Sequence, residues 1–425
     1  MKKATLFILS VFVIQLHVSA QSCLPDGIIF NSQASIDSFQ INYPNCTEIE
    51  GSVSISGEDI TSLEGLNSLT AIGGGLAILQ NPLLNNLAGL DNIHSINEYL
   101  VFLMNDSLGN IAALEGLTHL GGYMDITFNH SLSNLSGLDN LDSIGGHLYI
   151  HGNDALQSLT GLNEIIHIEG DVQIWSNTAL TELTGLDNLT SIDGYLDIES
   201  NSALINFNGL NNLMSIGGYL KIKENNALIN LTGLHNITSI EYLQIWDNQG
   251  LTSLTGMEGL TTVELYISIR DNVSLLSLSG IDHIEAATIQ SLYIVGNTSL
   301  TTCEVESVCD YIAQPNGEII IGSNGTGCAN EEEVEDACEG LGIQDSYAAT
   351  AISIYPNPAN KLISISSKQD ILVHVVIIYD GIGKKVMLKE GSDPTIDISA
   401  LSPGMYLVEI VSGKLKYRKK LIVNE

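Results

Sequence analysis

Leu180-Thr-Glu-Leu-Thr-Gly-Leu-Asp-Asn-Leu-Thr-Ser-Ile-Asp-Gly-Tyr-Leu-Asp-Ile-Glu-Ser-Asn201 holds two apolar rhythms in succession. Leu180, Leu183, Leu186, Leu189 and Ile192 recur every three residues, and Leu196 and Ile198 then recur every two. Spacing two is a strand with one face buried. Spacing three over a dozen residues is neither a long helix nor a strand; it suits tight turns or extended segments bending around a core. The next stretch repeats both rhythms with Leu204, Phe207, Leu210, Leu213, Ile216, Leu220 and Ile222.

Working outward, Asn81, Asn105, Asn129, Asn153, Asn177, Asn201 and Asn225 are spaced 24 residues apart, and Asn248, Asn272 and Asn297 follow with slips of one residue. A fixed period in this range means stacked coils, each contacting its neighbours. Asn tolerates left-handed backbone, and stacked buried amides can satisfy one another's donors and acceptors. A second ladder runs through Gly89, Gly137, Gly161, Gly185, Gly209, Gly233 and Gly280. A third, at Gly74, Gly122, Gly146, Gly170, Gly194 and Gly218, precedes each strand by two residues, where a turn with positive φ is expected. Between Asn105 and Gly116 the spacing is eleven instead of eight, which predicts a local bulge at Gly109–Ala113.

Lys2-Lys3, the apolar run Ala4–Ile14 and Val18-Ser-Ala20 read as a signal peptide over residues 1–20. Ala20-Gln-Ser22 is a poor lipobox, so Cys23 is read as a disulfide cysteine rather than a lipidated one. Six cysteines flank the repeats in two groups, Cys23 and Cys46 before, Cys303, Cys309, Cys328 and Cys338 after. They staple the end coils of an exported solenoid. Cys23–Cys46 follows from proximity; of three pairings open to the others, Cys303–Cys328 with Cys309–Cys338 is preferred. Their spacing lacks zinc knuckles, so no metal and no cofactor is expected.

Residues 21–344 hold 41 Asp and Glu but only Lys221, Lys223 and Arg270 as strong bases, whereas residues 351–425 carry ten Lys or Arg against seven acids. An acidic body disfavours nucleic acid and anionic membranes, and no stretch after the signal is long and apolar enough to insert in a bilayer. The organisation expected is a signal peptide (1–20), an N-terminal cap with a short helix near Ser32–Phe39 (21–50), a repeat solenoid (51–300), a Cys-rich cap with helices at Glu304–Ala313 and Glu331–Ala337 (301–339), a linker (340–351) and a strand-rich module (352–425). The fold class is all-β: a solenoid of about ten 24-residue coils with disulfide caps, plus a C-terminal Ig-like β-sandwich. Its strands are expected at Leu362–Ser366, Leu372–Tyr379, Lys385–Lys389, Met405–Val411 and Lys416–Val423.

Two resemblances rest on these motifs. The coil carried by Leu180–Asn201 resembles the receptor L domain, a leucine-rich-repeat-like right-handed β-helix, over about residues 30–300. That resemblance implies ligand binding rather than catalysis and names no ligand. The tail resembles the type A C-terminal sorting domain of type IX secretion in Bacteroidetes-type bacteria, on Ile354-Tyr355-Pro356-Asn357-Pro358, Ile396–Leu401, Gly404-Met-Tyr406 and Lys419-Lys420-Leu-Ile-Val423. It implies handling of residues 352–425 by that machinery, cleavage of the tail, and a place outside the cell or on the outer-membrane surface.

For function, the outward strand positions carry the information. Tyr149, His151, Trp175, Asp197, Glu199, Lys221, Lys223, Trp246 and Arg270 are the candidate ligand-binding residues, and both tryptophans of the chain fall among them. Aromatic rings and fixed charges on a rigid sheet suit a glycan or protein ligand, although aromatics also favour strands for their own sake. The alternative is a carbohydrate-active enzyme, a lyase or hydrolase using Asp197 and Glu199 beside the two lysines. With no third acid on that face and no Ser-His-Asp or H-E-x-x-H pattern, a secreted binding or adhesion protein, not an enzyme, is the reading preferred.

Overall fold

The computed structural model describes residues 21–341, 352–367, 373–380, 384–391, 394–412 and 415–424. The expected signal peptide and the linker residues 342–351 lie outside the described residues, as does Leu372 of one expected strand. The chain divides into two compact units, 1–171 and 172–425.

Each coil contributes one strand to a parallel sheet. Six such strands lie in the first unit, beginning with Ile28–Phe30 and Val53–Ile55 and continuing through Leu76–Leu79, Leu100–Leu103, Met124–Thr127 and Leu148–His151. Seven lie in the second, from Val172–Trp175 to Ile319–Gly322. The Asn ladder marks ten of these turns; the total reaches about thirteen because the flanking segments coil as well. The expected cap at 21–50 supplies Ile28–Phe30 and two short helices, Gln33–Asp37 and Phe39–Asn42, in place of one. The C-terminal cap supplies helices Glu306–Ala313 and Glu331–Leu341 around strand Ile319–Gly322.

The three-residue rhythm resolves into consecutive tight turns. Leu180 N–H donates to Asn177 O at 3.1 Å, Leu186 N–H to Leu183 O at 3.1 Å and Leu189 N–H to Leu186 O at 3.0 Å. Every third side chain therefore points inward, and Leu180, Leu183, Leu186, Leu189, Leu196 and Ile198 are all fully buried. Two-residue strands such as Ser191–Ile192 and Ser215–Ile216 form a second narrow ladder before each main strand.

The Asn residues hold the coils together. In Asn201 the side-chain amide donates to Ile174 O at 2.7 Å and Glu199 O at 3.1 Å, while its backbone N–H donates to Asn225 Oδ1 at 3.0 Å. Its own Oδ1 accepts from the backbone N–H of Asn177 at 3.0 Å. The left-handed residue is the one before each Asn, not the Asn itself: Ser200, Glu224, Asp247 and Asp271 all have φ between 56 and 59°. The ladder also runs one coil past Asn297, because Asn324 Oδ1 accepts from the Asn297 backbone at 3.0 Å and its side chain at 3.1 Å.

Two sequence expectations are corrected. Positive φ belongs to the glycine ladder at Gly89 to Gly280, as at Gly209 (φ 106°), where a Cβ would also sit 2.1 Å from Leu183 O. The glycines before the strands have ordinary φ, and several are required by coil-to-coil crowding instead: a Cβ on Gly122 would lie 1.9 Å from Glu98 O, whereas one on Gly218 would come no closer than 3.3 Å to a neighbour. The bulge at Gly109–Ala113 does not form. Leu108, Ile111, Leu114 and Leu117 keep the three-residue rhythm and are buried, because Ala112–Leu114 takes a 3-10 turn that needs no left-handed glycine at position 113.

The disulfides are Cys23–Cys46, Cys303–Cys328 and Cys309–Cys338, with Cα separations of 5.8, 5.8 and 5.6 Å. Residues 352–424 form two antiparallel sheets, Ile352–Tyr355, Leu362–Ser367 and Thr395–Asp397 in one, Lys385–Glu390, Val375–Tyr379, Gly404–Ser412 and Leu415–Val423 in the other. Ile363, Ile378, Ile396, Val408, Ile410 and Leu421 fill the space between them, as in a β-sandwich.

Asn201→Ala strands the Asn177 backbone N–H and the Ile174 carbonyl inside the stack. At about 1–3 kcal/mol for each orphaned buried group, it should lower the urea midpoint far more than Asn324→Ala at the half-exposed end of the ladder. Equal midpoints for the two variants would contradict a buried stacked network.

Candidate functional site

In the second unit the strands pair in strict register, Trp175 opposite Glu199, Glu199 opposite Lys223, Lys223 opposite Trp246 and Trp246 opposite Arg270. The neighbouring column reads Gln173, Asp197, Lys221, Gln244, Ser268 and Tyr293. Seven of the nine candidate residues therefore share one face. Tyr149 and His151 belong to the first unit, where His147, Tyr149 and His151 form a stack with centroid spacings of 5.4 and 5.7 Å.

The charges on this face are paired. Lys221 Nζ lies 3.1 Å from Asp197 Oδ2 and 2.7 Å from Glu199 Oε2; Lys223 Nζ lies 2.9 Å from Glu199 Oε1 and 2.9 Å from Glu224. Asp197, although on the outward side of its strand, is 2% exposed. Burial pushes its carboxyl above the usual range, against the pull of Lys221. Glu199 is also desolvated, but the hydrogen bonds from Lys221 and Lys223 win and hold its carboxyl below the usual range.

Each tryptophan is braced by a cation. Lys221 Nζ sits 5.9 Å from the Trp175 ring centre, and the Arg270 guanidinium sits 6.0 Å from Trp246 and 5.1 Å from Tyr293. Ser268 Oγ accepts from both Trp246 Nε1 and Arg270 Nε at 2.9 Å. The rings are thus fixed in position with their outer surfaces half-exposed.

A third column was missed in the sequence. Tyr195, Tyr219, Tyr242 and Tyr266 stack face to face with centroid spacings of 4.3, 4.6 and 4.7 Å. Its signal was present, a Tyr immediately before each strand as in Gly194-Tyr-Leu196 and Gly218-Tyr-Leu220, but spacing alone did not distinguish it from turn residues. Burial in the stack, then the neighbouring phenol and carboxylate, push the Tyr242 hydroxyl up to about 12. Gln173 and Gln244 donate to the hydroxyls of Tyr195 and Tyr266, tying this column to the next.

In the C-terminal module the residues of the expected sorting signal, 63 positions apart in sequence at Asn357 and Lys420, meet. Asn357 Nδ2 donates to Lys420 O at 2.6 Å, and Ile422 N–H donates back to Asn357 Oδ1 at 2.9 Å. Ala359 continues the contact with Ile422 O at 2.9 Å and Asn424 N at 2.8 Å. Pro356 and Pro358 flank Asn357 on the surface, Tyr355 is 75% exposed, Lys419 is half-buried and Lys420 exposed. The Tyr406 hydroxyl donates to Ser402 O at 2.7 Å, closing the turn that carries Gly404. Among the described residues no helix is long and apolar enough to cross a membrane, and no group of three His, Cys, Asp or Glu is placed to hold a metal ion.

Lys221→Met removes the cation from the buried Asp197 and should cost about 3–5 kcal/mol in a thermal or denaturant melt. Asp197→Asn in the same chain should restore most of it. Because the folded-state pKa of Asp197 is raised, protonation favours the folded form. The Lys221→Met variant should therefore gain stability as the pH falls through the acidic range. A variant that only loses stability on acidification would show that Asp197 is not the destabilised group.

No curated protein matches the chain. Residues 353–424 match the family described as a secretion system C-terminal sorting domain. The chain carries a type IX secretion sorting domain at its C-terminus, which implies export to the cell surface or beyond it.

Proposed function

We propose that the exported body, residues 21–344, is a binding or adhesion protein of the outer surface or the extracellular space, and not an enzyme. Its solenoid, receptor-L-domain-like in its repeat, presents the face from Trp175 to Arg270 to a glycan or protein ligand, and residues 352–425 are the removable address. The observation that carries this reading is the fixed pair Trp246 and Arg270. Ring and guanidinium are held by one serine on a sheet whose strands are locked in register, so binding costs little side-chain ordering. Aromatic and Arg anchors of this kind dominate many recognition surfaces.

The rival reading as a polysaccharide lyase or hydrolase would use Asp197 as acid. Its carboxyl is covered by Lys221 and almost fully buried, a position that suits an ion ladder supporting the face better than a group in contact with substrate.

Screening the purified body on glycan and host-protein arrays is the direct test. Trp246→Ala and Arg270→Ala should each weaken the ligand found by about 1–3 kcal/mol and leave the melting midpoint nearly unchanged. Turnover of a polysaccharide that Asp197→Asn abolishes would replace this reading with the enzymatic one.

The address role makes a separate prediction. Deleting residues 352–425 should leave a folded body in the periplasm, since the sandwich has its own core. Wild-type amounts of the truncated chain at the cell surface would contradict it.

A further inference from the structure

In the first unit the outward columns have a different chemistry. One reads Ser54, Ala77, Val101 and Asp125 in register, and the next reads Leu79, Leu103, Thr127 and His151. Ala77 and Val101 are small and 8% exposed, a low floor between taller walls. On one side stand Tyr99 and Tyr123, stacked at 5.4 Å, with the Tyr99 ring lying over Gly75. On the other stand Leu79 and Leu103, followed by Met104 and Phe128, which are 42% and 41% exposed.

Met104 and Phe128 occupy the left-handed position at the end of their coils, with φ of 58 and 54°. Large residues rarely adopt that backbone, and here it turns two apolar side chains toward solvent. From the tyrosine column to the Leu79 column is four residues along a strand, about 13 Å. The floor runs into Asp125 at one end, and a shallow cavity of about 580 Å³ beside Met104 is bordered by Glu58 and Gln80.

Charge selects the occupant. Residues 21–171 contain eighteen Asp or Glu and no Lys or Arg. An anionic partner is repelled there, and Ala77 and Val101 at the floor carry no hydrogen-bonding side chain for a sugar. We propose that this trough binds a cationic amphipathic peptide segment. Its apolar side chains lie on Leu79, Leu103, Met104 and Phe128, and its Lys or Arg residues reach Asp125 and Glu58. Such a partner buries an apolar strip that a monomer would otherwise leave in water, and the acidic surround raises its rate of encounter. This surface lies in the first unit, and the Trp175–Arg270 face in the second.

The experiment is a fluorescence-anisotropy titration of the mature chain with a labelled peptide of alternating Lys and Leu. A Lys/Ser peptide and a Glu/Leu peptide serve as comparisons. The Lys/Leu peptide should bind, and the other two should not. Leu103→Gln and Met104→Ala should each raise its Kd at least about tenfold, and Asp125→Asn should raise it and flatten its salt dependence. Trp246→Ala, in the second unit, should leave it unchanged, which separates this proposal from the one above. Failure of the Lys/Leu peptide to bind would overturn the proposal. So would equal binding of the Lys/Ser peptide, or undiminished binding to both Leu103→Gln and Met104→Ala.

Discussion

A carboxamide buried in an apolar coil must find acceptors for its N–H groups and donors for its oxygen, and in this chain each coil supplies them to its neighbour. The Asn side chain of a ladder coil, as at Asn201, bonds the strand carbonyls of the preceding coil and its own, and receives the backbone N–H of the preceding Asn. Replacing it with an apolar residue strands several groups at once. That requirement and hydrophobic burial fix the strand register together, since a slip of one residue in a strand would break the Asn contacts and turn its Leu and Ile outward. Even where the sequence spacing is 23 or 25 residues, the Asn contact is kept at 3.0 Å and the extra or missing residue is absorbed elsewhere.

The same constraint shapes the surface. Once strands are held in register, outward side chains fall into straight columns, and chemistry repeated in the sequence becomes chemistry stacked in space. Opposite charges one coil apart become an ion ladder, and tyrosines one coil apart become a stack. The ladder ends need their own solution. Gly57 offers a backbone N–H to Asn81 Oδ1 at one end, and Asn324 at the other turns its amide toward Ile294 and Cys328 carbonyls inside a disulfide-stapled cap. In the sorting module Asn357 does a related job in another context, supplying both halves of a strand-edge pairing to the final strand.

Much of this was legible in the sequence because period is a one-dimensional signal. The buried Leu and Ile positions, the Asn stack, the strand register and the Cys23–Cys46 pair follow from spacing, and of the three pairings open to the other cysteines the preferred one forms. What spacing could not convey was the reason a residue type recurs. Both glycine ladders look alike in sequence, yet one answers to left-handed backbone and the other to the carbonyl of the coil beneath, as Gly209 and Gly122 illustrate. The apparent insertion at Asn105–Gly116 came from aligning glycines, when the leucines show that Ala113 holds the glycine's place in a differently wound turn. Seven of the candidate residues share one sheet surface in the second unit. Its internal ion pairing, the burial of Asp197 and the tyrosine column depend on side-chain directions that no spacing records.

Hydrogen exchange on the chain labelled with nitrogen-15 at asparagine measures the central requirement directly. The backbone amides of Asn201, Asn225 and Asn248 are bonded to the next side chain and fully buried. The exposed corner residues Asn92, Asn212 and Asn236 bond the preceding coil only through their side chains. If the stacked amides hold the coils, Asn201, Asn225 and Asn248 exchange only when the whole stack opens, among the slowest sites in the protein, while the corner amides exchange rapidly. Exchange of the ladder amides as fast as that of the corner residues would contradict the stack as the element that holds the solenoid together.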